Sequence, residues 1–149
     1  MSAVEVRFFT GVDEPLALAL RLVRKRHREG GRTAVFGPAA LLARLDQALW
    51  SDPPLDFLPH LRLRPGDPVP ADAGLTPVWL LDQPAPDLAC DSAVNLGFDE
   101  VDALSAFERV AEIVATEAQA RAAGQQRWRR YKALGVTIHH HPQDGARPD

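Results

Sequence analysis

Segments with strand character and segments with helix character alternate over the first fifty residues, and this order constrains the fold most. Val4 to Phe9 is rich in β-branched and aromatic residues, which predicts a strand. A helix-spaced apolar series follows it and ends at Gly30-Gly31. Thr33 to Phe36 predicts a second strand, and a second helix is expected from Pro38 to Trp50. The β-α-β-α order predicts a parallel sheet covered by helices.

The first helix is expected to begin with Asp13 as its N-cap, since Glu14 and Pro15 follow as typical first-turn residues. Its last turns carry a run of cations, which suits the negative end of the helix dipole. These cations are Arg21, Arg24, Lys25, Arg26 and Arg28.

The second half of the sequence is less regular. Residues 51–77 hold seven of the 13 prolines and predict a proline-rich loop without regular elements. Pro77 to Asp82 and Ser92 to Leu96 predict two further strands. Apolar residues one turn apart then predict a helix through Leu104, Phe107, Val110 and Val114.

A final helix is expected from about Glu117 to Leu134, with Gly124 as a point where it could kink. Residues 136–149 are expected to be a polar, flexible tail. The prediction is an α/β fold: a three-layer α/β/α single domain over residues 1–135, with a mostly parallel sheet and Rossmann-like topology. The length of 149 residues suits one domain.

Composition limits the functional classes. Lys and Arg total 17 against 20 Asp and Glu, and the net charge of -3 argues against a uniformly basic nucleic-acid-binding protein. A single cysteine, Cys90, excludes an internal disulfide framework and fits a reducing compartment. No apolar run reaches the ~18 residues that a membrane span needs, and no secretory signal is evident. We expect a soluble, cytoplasmic protein without membrane contact.

The turns after the first two strands lack the pattern of a phosphate-binding loop. Residues 10–15 contain one glycine and two acids, and carboxylates there would repel a phosphate. The sequence therefore predicts Rossmann-like topology without a nucleotide-binding loop, and no cofactor.

Candidate catalytic and metal-binding residues each have a simpler explanation. Cys90 lies beside Asp87 and Asp91, which should raise its thiol pKa. His60, in the proline-rich loop, could be a catalytic base, but a structural or interface histidine is preferred. The adjacent histidines His139 to His141 would point to alternate sides of an extended segment, so a solvated tail is expected rather than a metal site.

A cationic aromatic helix stands out from this background. Residues 121–132 carry five basic residues and no acid, and the acidic stretch upstream should focus positive potential on them. Arg121, Gln125 and Trp128 align at i, i+4 and i+7. Such a surface suits single-stranded nucleic acid, or an acidic peptide with an apolar anchor and a free carboxylate. Alternatively, Trp128 and Tyr131 pack on the sheet while the cations are solvated.

A second cluster joins the end of the second helix to the proline-rich loop. Trp50 and Phe57 could form an exposed apolar patch, which would mark a partner site. The alternative is that both rings enter the core, and spacing alone favours it.

Three stretches resemble the chi subunit family of the bacterial DNA polymerase III holoenzyme. Phe8-Phe9 lies in the position of the family's N-terminal strand. Residues 44–50 read RLDQALW and residues 57–60 read FLPH, which is similar to the family's RLD-ALW and F-PH signature. Residues 127–135, RWRRYKALG, resemble its basic C-terminal helix.

The resemblance implies an α/β fold without a nucleotide site or cofactor, and a non-catalytic adaptor subunit. It implies two partners: the psi subunit, which ties chi to the clamp loader, and the acidic C-terminal tail of single-stranded DNA-binding protein (SSB). A repair helicase could share the psi surface, and contact with DNA would be mostly indirect. The expected location is the cytoplasm, at the replication fork.

The resemblance also assigns residues by position. The psi contact falls on Leu49, Trp50, Phe57 and Pro59. The SSB-tail contact falls on Val114, Arg121, Gln125, Arg127, Trp128, Tyr131 and Lys132.

Gln125 departs from the family pattern, which has an arginine there that meets the carboxylate of the tail. Arg121, Arg129 or Lys132 could substitute for it. Two other functions stay open: direct binding of single-stranded DNA by the same basic helix, and a small enzyme acting through His60 or Cys90.

Overall fold

The computed structural model describes residues 5–51, 58–64, 66–68, 76–84 and 88–143. Its strands are β1 Glu5–Val12, β2 Thr33–Phe36, β3 His60–Leu63, β4 Val78–Leu81, β5 Ser92–Asn95, β6 Arg109–Ala115 and β7 Thr137–Pro142. Its helices are α1 Pro15–Arg28, α2 Ala39–Ser51, α3 Val101–Leu104 and α4 Ala118–Ala133. None of these described helices is long and apolar enough to cross a bilayer.

The strands form one seven-stranded sheet in the order β3-β4-β2-β5-β6-β1-β7, and every pair is parallel. Apolar residues of α1 and α2, such as Val23 and Leu45, are buried on one face. Residues of α3 and α4, such as Leu104 and Tyr131, are buried on the other. All four residues of β2, β4 and β5 are buried, as expected for strands covered on both faces. The predicted three-layer α/β/α fold with a parallel sheet is confirmed.

The predicted helix through Leu104, Phe107, Val110 and Val114 is wrong. The short helix α3 ends at Leu104, and β6 begins at Arg109. Val110 and Val114 are four residues apart, which also satisfies the two-residue period of a strand. The sequence RVAEIVA is buried on both sides at its centre, so β6 shows no alternation that would distinguish it from a buried helix.

Three smaller predictions also need correction. Asp13 is not the N-cap of α1, because the residue before the helix is Glu14, which makes no side-chain cap bond. Strand β1 continues beyond Phe9 to Val12. The segment 51–77 is not without regular elements, since β3 lies within it and pairs with β4.

The flexible tail predicted for residues 136–149 is wrong for the part that forms β7. This strand pairs in parallel with β1, with His140 opposite Phe8. The Nε2 atom of His140 lies 2.7 Å from Thr10 Oγ1, and His141 stacks on Phe9. The three histidines thus lie on a sheet edge, and within the described ranges no group of side chains is arranged to hold a metal.

A buried polar network fixes α4 to the sheet. The carboxylate of Glu112, fully buried on β6, accepts hydrogen bonds from Arg127 Nε at 2.8 Å and Tyr131 Oη at 2.8 Å. It also accepts one from Asn95 Nδ2 at 3.0 Å. Burial raises the pKa of the Glu112 carboxyl, while the guanidinium of Arg127 and these donors oppose that rise. A buried charge is tolerated here because its partners are in place.

Gly124 lets α4 approach β6 closely. A Cβ atom at this position would lie 2.9 Å from Val114 Cγ2, which is too close for an undistorted contact. The helix continues through Gly124 without a break, and Gly135, at φ 77°, follows its end.

The buried network predicts that Arg127→Leu lowers the free energy of unfolding by about 3–5 kcal/mol, because buried Glu112 would lose its counter-ion and would have to stay charged without it or take up a proton. Arg130→Leu is the matched control. Arg130 pairs with Asp102 at 2.7 Å, but both side chains are exposed to solvent, so the loss of this pair should lower the free energy of unfolding far less. Urea unfolding measures both variants, and equal losses would contradict the role of the network.

Strand β7 predicts that ending the chain after Val136 lowers the free energy of unfolding by about 2 kcal/mol or more. The outer edge of β1 would lose its hydrogen-bonded partner, and Ile138 would no longer pack on the core. Urea unfolding measures this change. An unchanged urea midpoint would show that these residues do not stabilise the fold, as expected of a frayed tail.

Candidate functional site

A cavity of about 520 Å³ opens between α4 and the ends of β1, β6 and β7. It is lined by Phe8, Thr10, Gly11, Val114, Thr116, Arg121, Gly124, Gln125, Trp128, Arg129 and His140. Its size lies within the range of ligand-binding clefts.

The floor of the cavity is apolar and aromatic. Val114 contributes from β6, and Phe8 contributes from β1. The ring of Trp128 meets Phe8 edge-on, with centroids 4.9 Å apart, and meets His140 at 5.6 Å. Because Trp128 contacts a residue on each side, its ring is held as a wall rather than left free to rotate.

Two arginines supply charge at the rim. Arg121 and Arg129 lie one turn before and one turn after Gln125, so all three side chains leave the same face of α4. Within the described ranges no ion pair is recorded for either arginine, and no carboxylate is among the lining residues. The cavity therefore combines an apolar floor with a positive rim.

The structure brings together four of the seven residues assigned to the SSB-tail contact: Val114, Arg121, Gln125 and Trp128. Arg127 and Tyr131 lie elsewhere, since both are buried and bonded to Glu112. Lys132 is exposed but does not line the cavity.

Of the other lining residues, sequence reasoning named Arg129, as a possible substitute for Gln125, and missed the rest. Phe8 was noted only as part of a strand, and His140 was placed in a tail. The sequence alone could not place either residue beside α4, because that requires the sheet order, in which β1 lies between β6 and β7.

The expectation of one focused positive patch needs correction. The acidic stretch upstream of α4 does not stand apart from the five cations but neutralises two of them. Arg127 Nη1 lies 2.9 Å from Asp99, and Arg130 pairs with Asp102. The remaining cations are Arg121, Arg129 and Lys132.

The second cluster gives a mixed result. The side chain of Trp50 is 65% exposed, so the prediction that its ring enters the core is wrong. Pro59 is exposed as well, whereas Leu49 is a core residue at 1% exposure. Phe57 lies outside the described residues. The exposed surface formed by Trp50 and Pro59 is called the Trp50 surface below.

His60 underlies the Trp50 surface. Its ring meets the Trp50 ring at 5.5 Å. Its Nε2 lies 2.7 Å from Asp46 Oδ1, and its Nδ1 lies 2.8 Å from the Leu58 carbonyl. Both ring nitrogens are thus engaged, which favours a structural histidine over a catalytic base.

The thiol of Cys90 is a poor nucleophile. Burial, with a further contribution from Asp91, raises its pKa to about 11. The direction matches the sequence prediction, although burial is the larger cause.

Comparison with solved structures shows the fold. Among the matching chains is domain 2 of the DEAD-box helicase Mss116p, bound to an RNA duplex, with a TM-score of 0.63 and 10% identity. The match covers 97% of this chain and 64% of that chain, so this chain spans less than two thirds of that structure. None of the curated proteins matches the sequence.

The family comparison covers nearly all of the chain. The model of the DNA polymerase III chi subunit, HolC, matches residues 3–139. This range includes β1, the Trp50 surface and the whole of α4. The chain therefore belongs to the chi subunit family, the members of which are accessory subunits of DNA polymerase III.

Proposed function

We propose that this chain is a non-catalytic adaptor of the DNA polymerase III holoenzyme. Its cavity would bind the acidic C-terminal tail of SSB, and its Trp50 surface would bind the psi subunit. The chain would thus link SSB-coated DNA to the clamp loader, in the cytoplasm at the replication fork.

The observation that carries this proposal is the apolar cavity with arginines on its rim. A terminal aromatic or aliphatic side chain fits against Val114, Phe8 and Trp128. Acidic residues preceding it would be attracted by Arg121 and Arg129, and one guanidinium would pair with the terminal carboxylate. A segment this short buries little area, so micromolar affinity and fast exchange are expected.

Arg121 and Arg129 are the proposed substitutes for the arginine that Gln125 replaces. They are the neighbours of Gln125 at i−4 and i+4 and line the same cavity, but neither stands at that position itself, so weaker binding of the tail is expected. Lys132 lies away from the cavity and is the weakest of the three substitutes.

The alternative of a direct single-stranded DNA binder has less support. Arg127 and Arg130 are committed to acidic partners, and Tyr131 is buried, so α4 offers only Trp128 as a stacking ring. A gel-shift assay with a naked oligonucleotide separates the two functions.

The psi contact is proposed for the Trp50 surface because exposed tryptophans are frequent interface anchors. Leu49 supports the surface from within the core and is not available for contact. A repair helicase that competes for this surface would use the same ring.

For the cavity, we predict that Gln125→Arg tightens binding of an SSB-tail peptide about tenfold, because it adds a charge-assisted bond to the carboxylate. Gln126→Arg is the matched control: it adds the same charge at the next, exposed position, which does not line the cavity. Fluorescence anisotropy measures the dissociation constants.

Two further measurements test the same model. Amidation of the peptide's C-terminus should weaken binding to the unchanged chain, and raised salt should weaken it by screening. Equal gains from Gln125→Arg and Gln126→Arg, or binding that ignores salt, would contradict a charge-capped cavity.

For the Trp50 surface, we predict that Trp50→Ala weakens psi binding by about tenfold or more while leaving the urea midpoint unchanged, since the ring is mostly exposed. Arg44→Ala, an exposed change on another side of α2, is the control. Isothermal titration calorimetry with purified psi gives both affinities. Normal psi binding by Trp50→Ala would remove this surface from the proposal.

A further inference from the structure

A row of cations follows the exposed side of α1, on the sheet face opposite the cavity. Arg21, Lys25 and Arg28 are exposed and spaced at i, i+4 and i+7. On a helix these positions fall within an arc of about 60° and span about 10 Å along the axis. None of the three forms an ion pair within the described residues, although Arg21 shares a cavity with Asp13 and Glu14, whose charge lowers the positive potential at that end of the row.

The row continues toward the sheet. Lys25 also lines a polar cavity of about 290 Å³ that contains Arg7 and Arg109. The acids in this cavity have other partners: Glu29 lies 3.2 Å from Arg26, and Glu5 lies 3.4 Å from His139. Glu29 also approaches Arg109, at 4.0 Å. These acids therefore offset mainly the cations of the cavity, whereas Arg21 and Arg28 lie outside it.

The chemistry of this face fits phosphates better than peptide. Helix α1 contains no Phe, Tyr or Trp, and its apolar residues Leu18, Ala19 and Val23 are buried beneath it. The partly buried Leu20 and Leu22 pack against the core, so a docked peptide would find little apolar anchor. The exposed ring of α1, His27, lies about 100° or more around the helix from each of the three cations, so a single strand along the row would have no ring on which to stack. A duplex hides its bases and presents phosphates alone.

The density of phosphates is also sufficient. Each strand of a DNA duplex presents one phosphate per 3.4 Å of axis and winds around that axis, so flexible Lys and Arg side chains spread over about 10 Å of helix can contact about three of them. This equals the number of cations in the row.

We propose that the exposed face of α1 binds the phosphodiester backbone of double-stranded DNA without reading its sequence. The net charge of -3 does not oppose this, because the relevant potential is local. The inference stands apart from the proposed function, because α1 and the SSB-tail cavity lie on opposite faces of the sheet. One molecule could hold a peptide and a duplex at the same time.

The test uses a fluorescein-labelled duplex of about 20 base pairs, the corresponding single strand and polyglutamate as probes of the full chain. Three phosphate contacts predict a slope of about −2.7 for log K against log salt, so duplex binding should weaken about 40-fold from about 50 mM to about 200 mM salt. The triple variant Arg21→Gln, Lys25→Gln, Arg28→Gln should lose this slope. Glutamine preserves helix propensity, and the urea midpoint verifies folding.

Single variants provide a matched pair. Lys25→Gln should weaken duplex binding, whereas Arg44→Gln, which removes an exposed cation on α2, should not. The triple variant should bind the SSB-tail peptide normally, so failure of this inference differs from failure of the proposed function. Equal effects of the two single variants, equal binding of the single strand, or competition by polyglutamate as strong as by duplex would overturn it.

Discussion

The buried contact between Glu112 and Arg127 determines where the α4 residues of the candidate site lie. It joins β6 to α4 through groups that water cannot reach, so its bonds are made inside the protein or not at all. Tyr131 and Asn95 complete the set of donors. With Arg127 and Tyr131 tied to the sheet, the neighbouring face of α4 has one available orientation, and it presents Arg121, Gln125 and Trp128 to the cavity.

This arrangement divides the cations of α4 into two groups with different tasks. Arg127 and Arg130 satisfy acids of the same chain and hold the helix in place. Arg121 and Arg129 line the cavity and form no ion pair within the described residues. A count of basic residues along the helix cannot separate these groups, since the separation depends on which carboxylates fold against each side.

The parts of the fold with strong local signals were predictable. The first four elements follow from strand composition and helical spacing, and the missing phosphate loop follows from the acids at positions 13 and 14. Strand β6 could not be predicted from the sequence, because a strand buried on both faces shows continuous apolar residues instead of alternation. Strand β7 was missed because its polar histidines resemble a solvated tail until β1 supplies their partners.

The candidate site was likewise predictable only in part from the sequence. Val114 and Trp128 could be assigned from the family resemblance, and both line the cavity. The contribution of His140 required the sheet order, which no spacing within one segment reveals. Arg127 looked equivalent to Arg121 in sequence, and only the burial of Glu112 distinguishes them.

The position of β7 in the chain determines when, during synthesis, the cavity becomes complete. One wall of the cavity, at His140, belongs to the last described strand, which is also the last of these elements to leave the ribosome. A growing chain can assemble the sheet from β1 to β6 and dock α4, yet its pocket would still lack that wall. A ligand that depends on the His140 wall would therefore bind only after β7 has been synthesised.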